Sequence, residues 1–195
     1  MTSRAASAAA TRRALLDAAA DLLDRGGLEA VTLRAVGAQA GVTRGAPYRH
    51  FPDKESLLIA IGTRAWERLG EQMQALREDP GLSAGEKLRS GIIALVGIGR
   101  SQPHLYKLMF SNPPGDPAAL ARAAEHSQTE FLAIVADLVG EQDARRYGAL
   151  LISTANGISG MEVSGQLPNE KWGPVSAEEL IDTLVGMIDG ENRRG

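Results

Sequence analysis

The segment TLRAVGAQAGVTRGAPYRHF, residues 32–51, constrains the fold of this chain more than any other stretch of its sequence. Thr32 is a favourable N-cap for a short helix, which Gly41 then breaks. Thr43 can cap another short helix, which ends by Phe51-Pro52. Because this second helix is only about two turns long, it buries little, and its exposed side chains are available to a partner.

Helical spacing recurs in the rest of the chain, whereas strand signals are nearly absent. A first helix is predicted between Thr11 and Gly26-Gly27, and Asp53 opens a long fourth helix. SAGE at 83–86 and SAEE at 176–179 are capping-box patterns, which open two later helices. The sequence therefore predicts an all-α fold with about nine helices. The later five are expected at about 84–98, 103–110, 117–139, 143–165 and 176–189.

The predicted helices divide into a small N-terminal part and a larger remainder. We expect a flexible arm at 1–10, followed by a three-helix head at 11–55. A connecting helix at 54–79 then leads into a helical domain at 80–195. With 195 residues, 44% of them hydrophobic, the chain is long enough to bury one substantial core or two small ones.

The charges are distributed unevenly between these parts. Residues 1–64 contain nine Lys and Arg against six Asp and Glu, a net charge of +3. Residues 65–195 contain twelve against eighteen, a net charge of −6. Such an asymmetry can orient the basic end toward a polyanion. Chance is the alternative explanation for so small an imbalance.

Several classes of protein are disfavoured by what the sequence lacks. The chain has no cysteine, and its three histidines are far apart, so no metal site and no cofactor is expected. There is no Gly-rich phosphate loop and no Gly-x-Ser-x-Gly elbow, which argues against an enzyme. We see no signal peptide and no apolar run of the roughly 20 residues that a membrane span needs. We therefore expect a cytoplasmic protein with no membrane partner.

Two short helices joined by a glycine-containing turn and braced by a preceding helix form the helix-turn-helix pattern, whose second helix enters the major groove of DNA. Gly37 allows the two helices to approach closely, and Gly41 allows the sharp turn. Arg44 can donate two hydrogen bonds to a guanine edge. Seven further side chains are candidate donors to phosphates or base edges: Thr32, Arg34, Thr43, Tyr48, Arg49, His50 and Lys54.

Each of these residues also has a purely structural alternative. Tyr48 can serve as a half-buried packing aromatic, and Arg49 and His50 as solvated surface groups. When these residues are considered together on so short a helix, contact with DNA is the better interpretation of them.

The stretch TLRAVGAQAGVTRGAPYRHFPDKESLL resembles the N-terminal helix-turn-helix of TetR/AcrR-type transcriptional regulators. In that family a V-[ST]-x-G-x-x-Y-x-H-F-x-[DNS]-K segment follows an Ala-Gly turn and leads into a long connecting helix. The match covers residues 11 to about 70. The resemblance implies that Lys54 contacts phosphate and that eight other residues face DNA. These eight are Thr32, Arg34, Thr43, Arg44, Gly45, Ala46, Tyr48 and His50.

Two positions depart from the family pattern. Gly37 stands where alanine is more common, and Pro47 stands where a larger aliphatic residue is common. Pro47 lies in the first turn of its helix, where few backbone donors are lost, so the helix is still expected to form.

The domain at 80–195 is predicted to bind a small, mostly apolar effector, because a cavity among helices needs apolar walls and a few polar groups. The candidate wall residues are Leu105, Met109, Phe110, Phe131, Ile152 and Met161. The candidate polar groups are His104, Tyr106, Gln128 and Asn156. For each of them, packing in an ordinary core is the alternative.

The helices at 143–165 and 176–189 are predicted to form half of a four-helix dimer interface. The first is rich in small residues, among them Gly157 and Gly160, which allow close approach of helices. The second carries an apolar stripe of Leu180, Ile181, Leu184, Val185 and Ile188.

These expectations describe a ligand-responsive transcriptional regulator. It would bind a palindromic operator in double-stranded DNA as a homodimer and leave it when the effector binds. Repression, rather than activation, is implied by the resemblance alone. The alternatives are a helical adaptor whose head binds another protein, and an all-α enzyme.

Overall fold

The computed structural model describes residues 2–167 and 171–192 of the chain. Within those residues the chain forms ten helices, which confirms the predicted all-α class. None of these helices is both long enough and apolar enough to cross a membrane. They are α1 (Thr2–Ala30), α2 (Leu33–Gln39), α3 (Ala46–His50), α4 (Lys54–Glu78), α5 (Ala84–Ser101), α6 (Pro103–Met109), α7 (Ala119–Ala123), α8 (Glu125–Val139), α9 (Glu141–Val163) and α10 (Ala177–Asn192).

The chain divides into two compact units. The first unit comprises residues 1–65 and 104–123, and the second comprises residues 66–103 and 124–195. This division differs from the sequence-based one, which separates the parts near residue 80. The segment 104–123 packs with the N-terminal helices although it lies far from them in sequence.

The first helix is longer than the sequence predicts. It begins at Thr2, so residues 2–10, expected to be a flexible arm, are helical. The hydroxyl of Thr11 donates to the carbonyl of Ser7 (2.9 Å) inside the helix, so the prediction that Thr11 caps α1 is wrong. At the other end, Gly27 has φ 64° and ψ −163°, which breaks the regular helix before its last residues reach Ala30.

The core of the first unit combines α1–α4 with the segment 104–123. Leu108 of α6 and Leu120 of α7 are buried in the same cluster as the N-terminal helices. A Cβ at Gly62 of α4 would lie only 2.6 Å from Cδ2 of Leu120, so a side chain at this position would have to displace the leucine side chain. The other buried members are Leu15, Leu16, Ala18, Ala19, Leu23, Val31, Leu33, Val36, Phe51, Leu57 and Ile61.

The second unit is formed by α5, α8, α9 and α10 together with the later part of α4. Arg100 of α5 forms ion pairs with Glu162 of α9 and with Glu178 of α10, both at 2.9 Å. Arg89 of α5 forms a further ion pair with Asp182 of α10. The buried apolar residues of these four helices include Leu88, Ile92, Leu95, Val96, Ile134, Val135, Leu138, Leu151, Ala155, Ile158, Ile181, Val185 and Ile188.

Both predicted capping boxes are confirmed. In the first, the Ser83 hydroxyl accepts from the backbone N–H of Glu86 while the Glu86 carboxylate accepts from the N–H of Ser83 (2.8 Å). In the second, Ser176 and Glu179 make the same reciprocal pair (3.2 and 2.8 Å). Each arrangement satisfies two backbone donors at a helix start.

The single helix predicted over 117–139 is instead two helices, α7 and α8, and the break lies at Ala124. The Ala124 carbonyl accepts from the backbone N–H of Gln128 and from the hydroxyl of Ser127, both at 2.9 Å. The break falls where the chain passes from the first unit to the second. No glycine or proline marks it, so the apolar pattern alone could not reveal it.

Candidate nucleic-acid interface

The start of α2 is fixed by Thr32, as the sequence predicts. Its hydroxyl accepts a hydrogen bond from the backbone N–H of Ala35 (3.1 Å), which satisfies one of the donors that a helix start leaves open. Leu33 and Val36 point into the core of the first unit, while Arg34 is exposed. The cap therefore sets which face of α2 presents its charged side chain to solvent.

The turn after α2 depends on Gly41. Its φ of 66° lies in the left-handed region, which glycine adopts without a steric penalty. The chain then reverses, and the backbone N–H of Val42 donates to the carbonyl of Gly37 (3.1 Å). The predicted sharp turn is confirmed.

The helix that follows the turn is shorter than expected. α3 runs only from Ala46 to His50, and its N-cap residue, Gly45, provides no capping side chain. Thr43 does not cap the helix with its hydroxyl as predicted; its carbonyl accepts from the N–H of Ala46 (2.9 Å) instead. Pro47 lies in the first turn, where its missing N–H leaves no intrahelical bond unmade.

Between α2 and α3 lies an open groove of about 480 Å³. Three of the predicted DNA-binding residues, Arg34, Arg44 and Tyr48, contribute to its lining. The other lining residues are Leu33, Gly37, Ala38, Val42 and Pro47. The structure thus brings two guanidinium groups and a phenol around one apolar floor.

Most of the ten predicted DNA-binding residues are accessible. Thr32, Arg34, Thr43, Arg44, Gly45, Tyr48 and Arg49 are exposed, Tyr48 by 56% of its surface. His50 is half-buried. Ala46 is only 3% exposed, because it packs inward at the start of α3, so the prediction that it faces DNA is wrong.

Lys54 is half-buried, and its ammonium is already engaged. Nζ donates to the carbonyl of Leu28 (2.6 Å), near the C-terminal end of α1. Beside it, the Asp53 carboxylate accepts from the N–H of Ser56 (2.7 Å), which confirms Asp53 as the cap of α4. This backbone hydrogen bond, with the Ser56 side chain as a second contributor, lowers the pKa of Asp53 below its ordinary value.

The contacts of α1 with Phe51 and with Gln39 were not foreseen from the sequence. The guanidinium of Arg12 lies 5.3 Å from the ring centroid of Phe51, the residue that ends α3. Gln39 of α2 donates to the carbonyl of Ala18 (3.3 Å) and accepts from Arg25 (2.7 Å), both on α1. Neither contact has a local sequence signal, because each joins residues far apart in the chain.

Comparison with protein families decides the assignment. The protein-family model described as bacterial regulatory proteins, tetR family, matches residues 15–61, which include α2 and α3. The model described as tetracyclin repressor-like, C-terminal domain, matches residues 88–188, more than half of the chain. The chain belongs to the TetR family of bacterial regulatory proteins. This confirms the resemblance drawn from the helix-turn-helix motif.

Individual relatives agree with this family. The chain is 37% identical, over 98 residues, to the HTH-type transcriptional repressor KstR of Rhodococcus jostii, a match that covers 50% of this chain and 45% of that repressor. The matched segment thus spans less than half of the curated relative's length.

Solved structures extend the likeness to nearly the whole chain. A protein of unknown function from Rhodococcus sp. RHA1 is 26% identical, with a TM-score of 0.73 and coverage of 95% of this chain and 94% of that one. A TetR-family transcriptional regulator from Streptomyces coelicolor shares the fold at 23% identity and a TM-score of 0.66, with coverage of 96% and 98%.

The effector residues predicted for this TetR-family chain fall in both units. In the first unit, His104 and Phe110 are exposed, Leu105 and Tyr106 are half-buried, and Met109 is buried. The ring of His104 covers Gly27, where an added Cβ would lie 3.1 Å from Cε1. The rings of Tyr106 and Phe110 contact each other at a tilt of 47°, with their centroids 5.0 Å apart.

In the second unit, Phe131 is buried, whereas Ile152, Asn156 and Met161 are half-buried. Gln128 is exposed. The side-chain amide of Asn156 donates to the carbonyl of Ile152 (3.0 Å). Ser159, one of the small residues of the predicted dimer helix, is buried, and its hydroxyl has no hydrogen-bond partner among the described residues.

The predicted dimer helices show both buried and exposed faces. Ile181, Val185 and Ile188 belong to the core of the second unit, and Leu180 and Leu184 are half-buried, so most of the predicted stripe packs within one chain. Other residues of α9 and α10 are exposed: Ala149, Leu150, Gly157, Gly160, Gly186 and Met187.

Proposed function

We propose that this TetR-family protein binds double-stranded DNA through the groove between α2 and α3. The observation that carries the proposal is the convergence of Arg34, Arg44 and Tyr48 on that groove. A planar guanidinium can donate two parallel hydrogen bonds to the O6 and N7 atoms of guanine. Arg44, which precedes α3 at the turn, is assigned this base-reading role.

The remaining exposed groups hold the protein on the DNA backbone. Thr32, Thr43, Tyr48 and Arg49 offer donors, and phosphate contacts of this kind fix register without reading sequence. Lys54 has donors left after its bond to Leu28, since an ammonium carries three. It contributes to phosphate binding while it holds the end of α1.

Selection of bound DNA from a random library tests this function directly. We expect enrichment of a defined sequence and an affinity that falls steeply with salt, because phosphate contacts release counterions. A chain that enriches no sequence and shows no salt-dependent DNA binding would contradict the proposal. That result would favour the adaptor alternative, which family membership otherwise disfavours.

The protein acts as a homodimer in this proposal. Leu150 of α9 and Met187 of α10 are exposed, and so are the small residues Gly157 and Gly160 of α9, which suits close packing of these helices against a second copy. A two-fold dimer places its recognition helices about 34 to 36 Å apart, one turn of DNA, and therefore requires a palindromic operator. A chain that sediments as a monomer at micromolar concentration would contradict this arrangement.

Regulation by a small, mostly apolar effector completes the proposal. Phe131, Ile152, Asn156 and Met161 of the second unit combine apolar surface with one amide. An effector that binds the free form better than the DNA-bound form releases the protein from its operator. Repression is supported by the name of the Rhodococcus jostii relative, a transcriptional repressor. A broad panel of apolar compounds, none of which raises the melting temperature or releases DNA, would count against the effector.

A further inference from the structure

Gly37 and Pro47 face each other across the contact between α2 and α3. Both residues are buried. A Cβ built on Gly37 would lie 2.7 Å from Cγ and 3.4 Å from Cδ of Pro47, and 3.9 Å from Cγ2 of Val42. The pyrrolidine ring therefore occupies the space that a side chain at position 37 would need.

This contact cannot be relieved by a change of rotamer. The ring of proline is closed onto its own backbone nitrogen, so it has no open-chain rotamers, and apart from a change of ring pucker its Cγ and Cδ atoms move only with the backbone. A methyl group at position 37 would have to displace α3, because interiors packed this closely do not absorb an added carbon freely. Proline at 47 therefore favours glycine at 37.

We infer that Gly37 and Pro47 form a matched pair that positions the DNA-reading helix. This inference rests on the proposed function, since it assigns the pair a role in DNA recognition. Pro47 lies between Arg44 and Tyr48 in sequence, and all three line the same groove together with Gly37. A displacement of α3 moves both side chains relative to Arg34 on α2.

Pro47 also stabilises the first turn of α3. α3 has five residues and no capping side chain, so little else fixes its first turn. The ring holds φ near the helical value before folding, and in the first turn its missing N–H costs no hydrogen bond. The two departures from the family pattern, Gly37 and Pro47, are thus one structural feature. Gly37 leaves space for the ring of Pro47, and Pro47 fixes the first turn of the helix that packs on Gly37.

A double-mutant cycle on the full chain tests the pair with four proteins: wild type, Gly37→Ala, Pro47→Ala and the double variant. Affinity is measured for the DNA selected by the wild type, and stability by thermal unfolding. We expect Gly37→Ala to weaken binding about tenfold and the addition of Pro47→Ala to recover most of that loss. Gly97→Ala, in α5 with no atom within 4 Å of the added Cβ, is the matched control and should leave binding unchanged.

A second readout separates positioning from simple stability. Library selection with Gly37→Ala should give an altered preference at the bases next to the position read by Arg44, and the double variant should restore the wild-type preference. The inference is overturned if Gly37→Ala binds DNA and unfolds like the wild type. It is also overturned if the loss of binding free energy in the double variant equals the sum of the losses in the two single variants. If the wild type binds no DNA, the proposed function fails and the positioning role fails with it. The coupling measured in unfolding then still reports whether the two residues are in contact.

Discussion

The two units of this protein are built in different ways. In the first, α2, the turn after it and the start of α4 are fixed by local features, namely the Thr32 cap, the left-handed Gly41 and the Asp53 cap. In the second, helices pack by apolar stripes and are joined by ion pairs such as Arg89 with Asp182. Helix caps and left-handed glycines can be predicted from the sequence one residue at a time. The pattern of an apolar stripe, in contrast, does not predict which of its residues is buried.

The neighbours Leu150 and Leu151 on α9 give the largest test of this contrast. Leu151 is fully buried and Leu150 is 50% exposed. Leu151→Ala should lower the free energy of unfolding by about 2–5 kcal/mol, because it removes buried methyl groups and leaves a cavity. Leu150→Ala is the matched control, and in a monomer its effect should be small. Both are measured by denaturant unfolding.

Leu150 also reports on assembly. If α9 pairs with a second copy, Leu150→Ala should weaken association, so the melting temperature should be lower and should depend less on protein concentration than that of the wild type. Equal losses of stability for the two variants in a protein that sediments as a monomer would contradict the burial assigned to α9.

Arg44→Ala gives the largest effect expected in the first unit. It should weaken operator binding by about 10- to 100-fold and relax the preference at one base pair, because a guanidinium that reads guanine is lost. Arg49→Ala is the control, since Arg49 is exposed on α3 but does not line the groove. It should weaken binding to all sequences alike and reduce the salt dependence. If Arg44→Ala changes neither affinity nor preference, its base-reading role is wrong.

The sequence predicts α2, the turn after it and the start of α4 because their signals are local, whereas it misplaces the starts of α1 and α3 at Thr11 and Thr43. A cap needs only a hydroxyl or carboxylate at the right position, as with Thr32 and Asp53. The same reasoning finds both capping boxes of the second unit. It fails at Ala124, where the helix breaks without a glycine, proline or capping side chain.

The candidate site is predicted less completely, because burial depends on contacts between distant residues. Ala46 was expected to face DNA, yet it is buried once α3 packs on α2. Lys54 was expected on phosphate, yet its ammonium reaches Leu28, 26 residues earlier in the chain. Spacing along one helix contains no information about either contact, so these details could come only from the structure.

Removal of one cap from each unit gives a smaller and more selective effect. Asp53→Ala and Ser83→Ala should each lower the melting temperature, since each leaves a backbone donor at a helix start without its partner. Only Asp53→Ala should also weaken operator binding, because it loosens the chain directly after α3. Thermal unfolding and operator titration of the two variants, side by side, measure this difference. Equal operator affinities would show that the start of α4 does not influence the groove.

The smallest expected effect is a pH dependence confined to the ion pairs of the second unit. The hydrogen bond from Arg89 lowers the pKa of Asp182 below its ordinary value of 3.8. A carboxylate with a lowered pKa in the folded state contributes stability above its ordinary pKa and loses that contribution as the pH falls through its folded value. Both partners are substantially exposed, so solvent screens the pair and the contribution is modest. Asp182→Asn should therefore be less stable than the wild type at neutral pH. The difference should begin to shrink as the pH falls below 3.8, and it should vanish once the pH has fallen through the lower pKa of the folded state, where the wild-type carboxylate also becomes neutral. Thermal unfolding of both proteins between neutral and strongly acidic pH measures this convergence. A difference that persists unchanged into acid would mean that Asp182 stabilises α10 by its shape or hydrogen bonding and not by its charge.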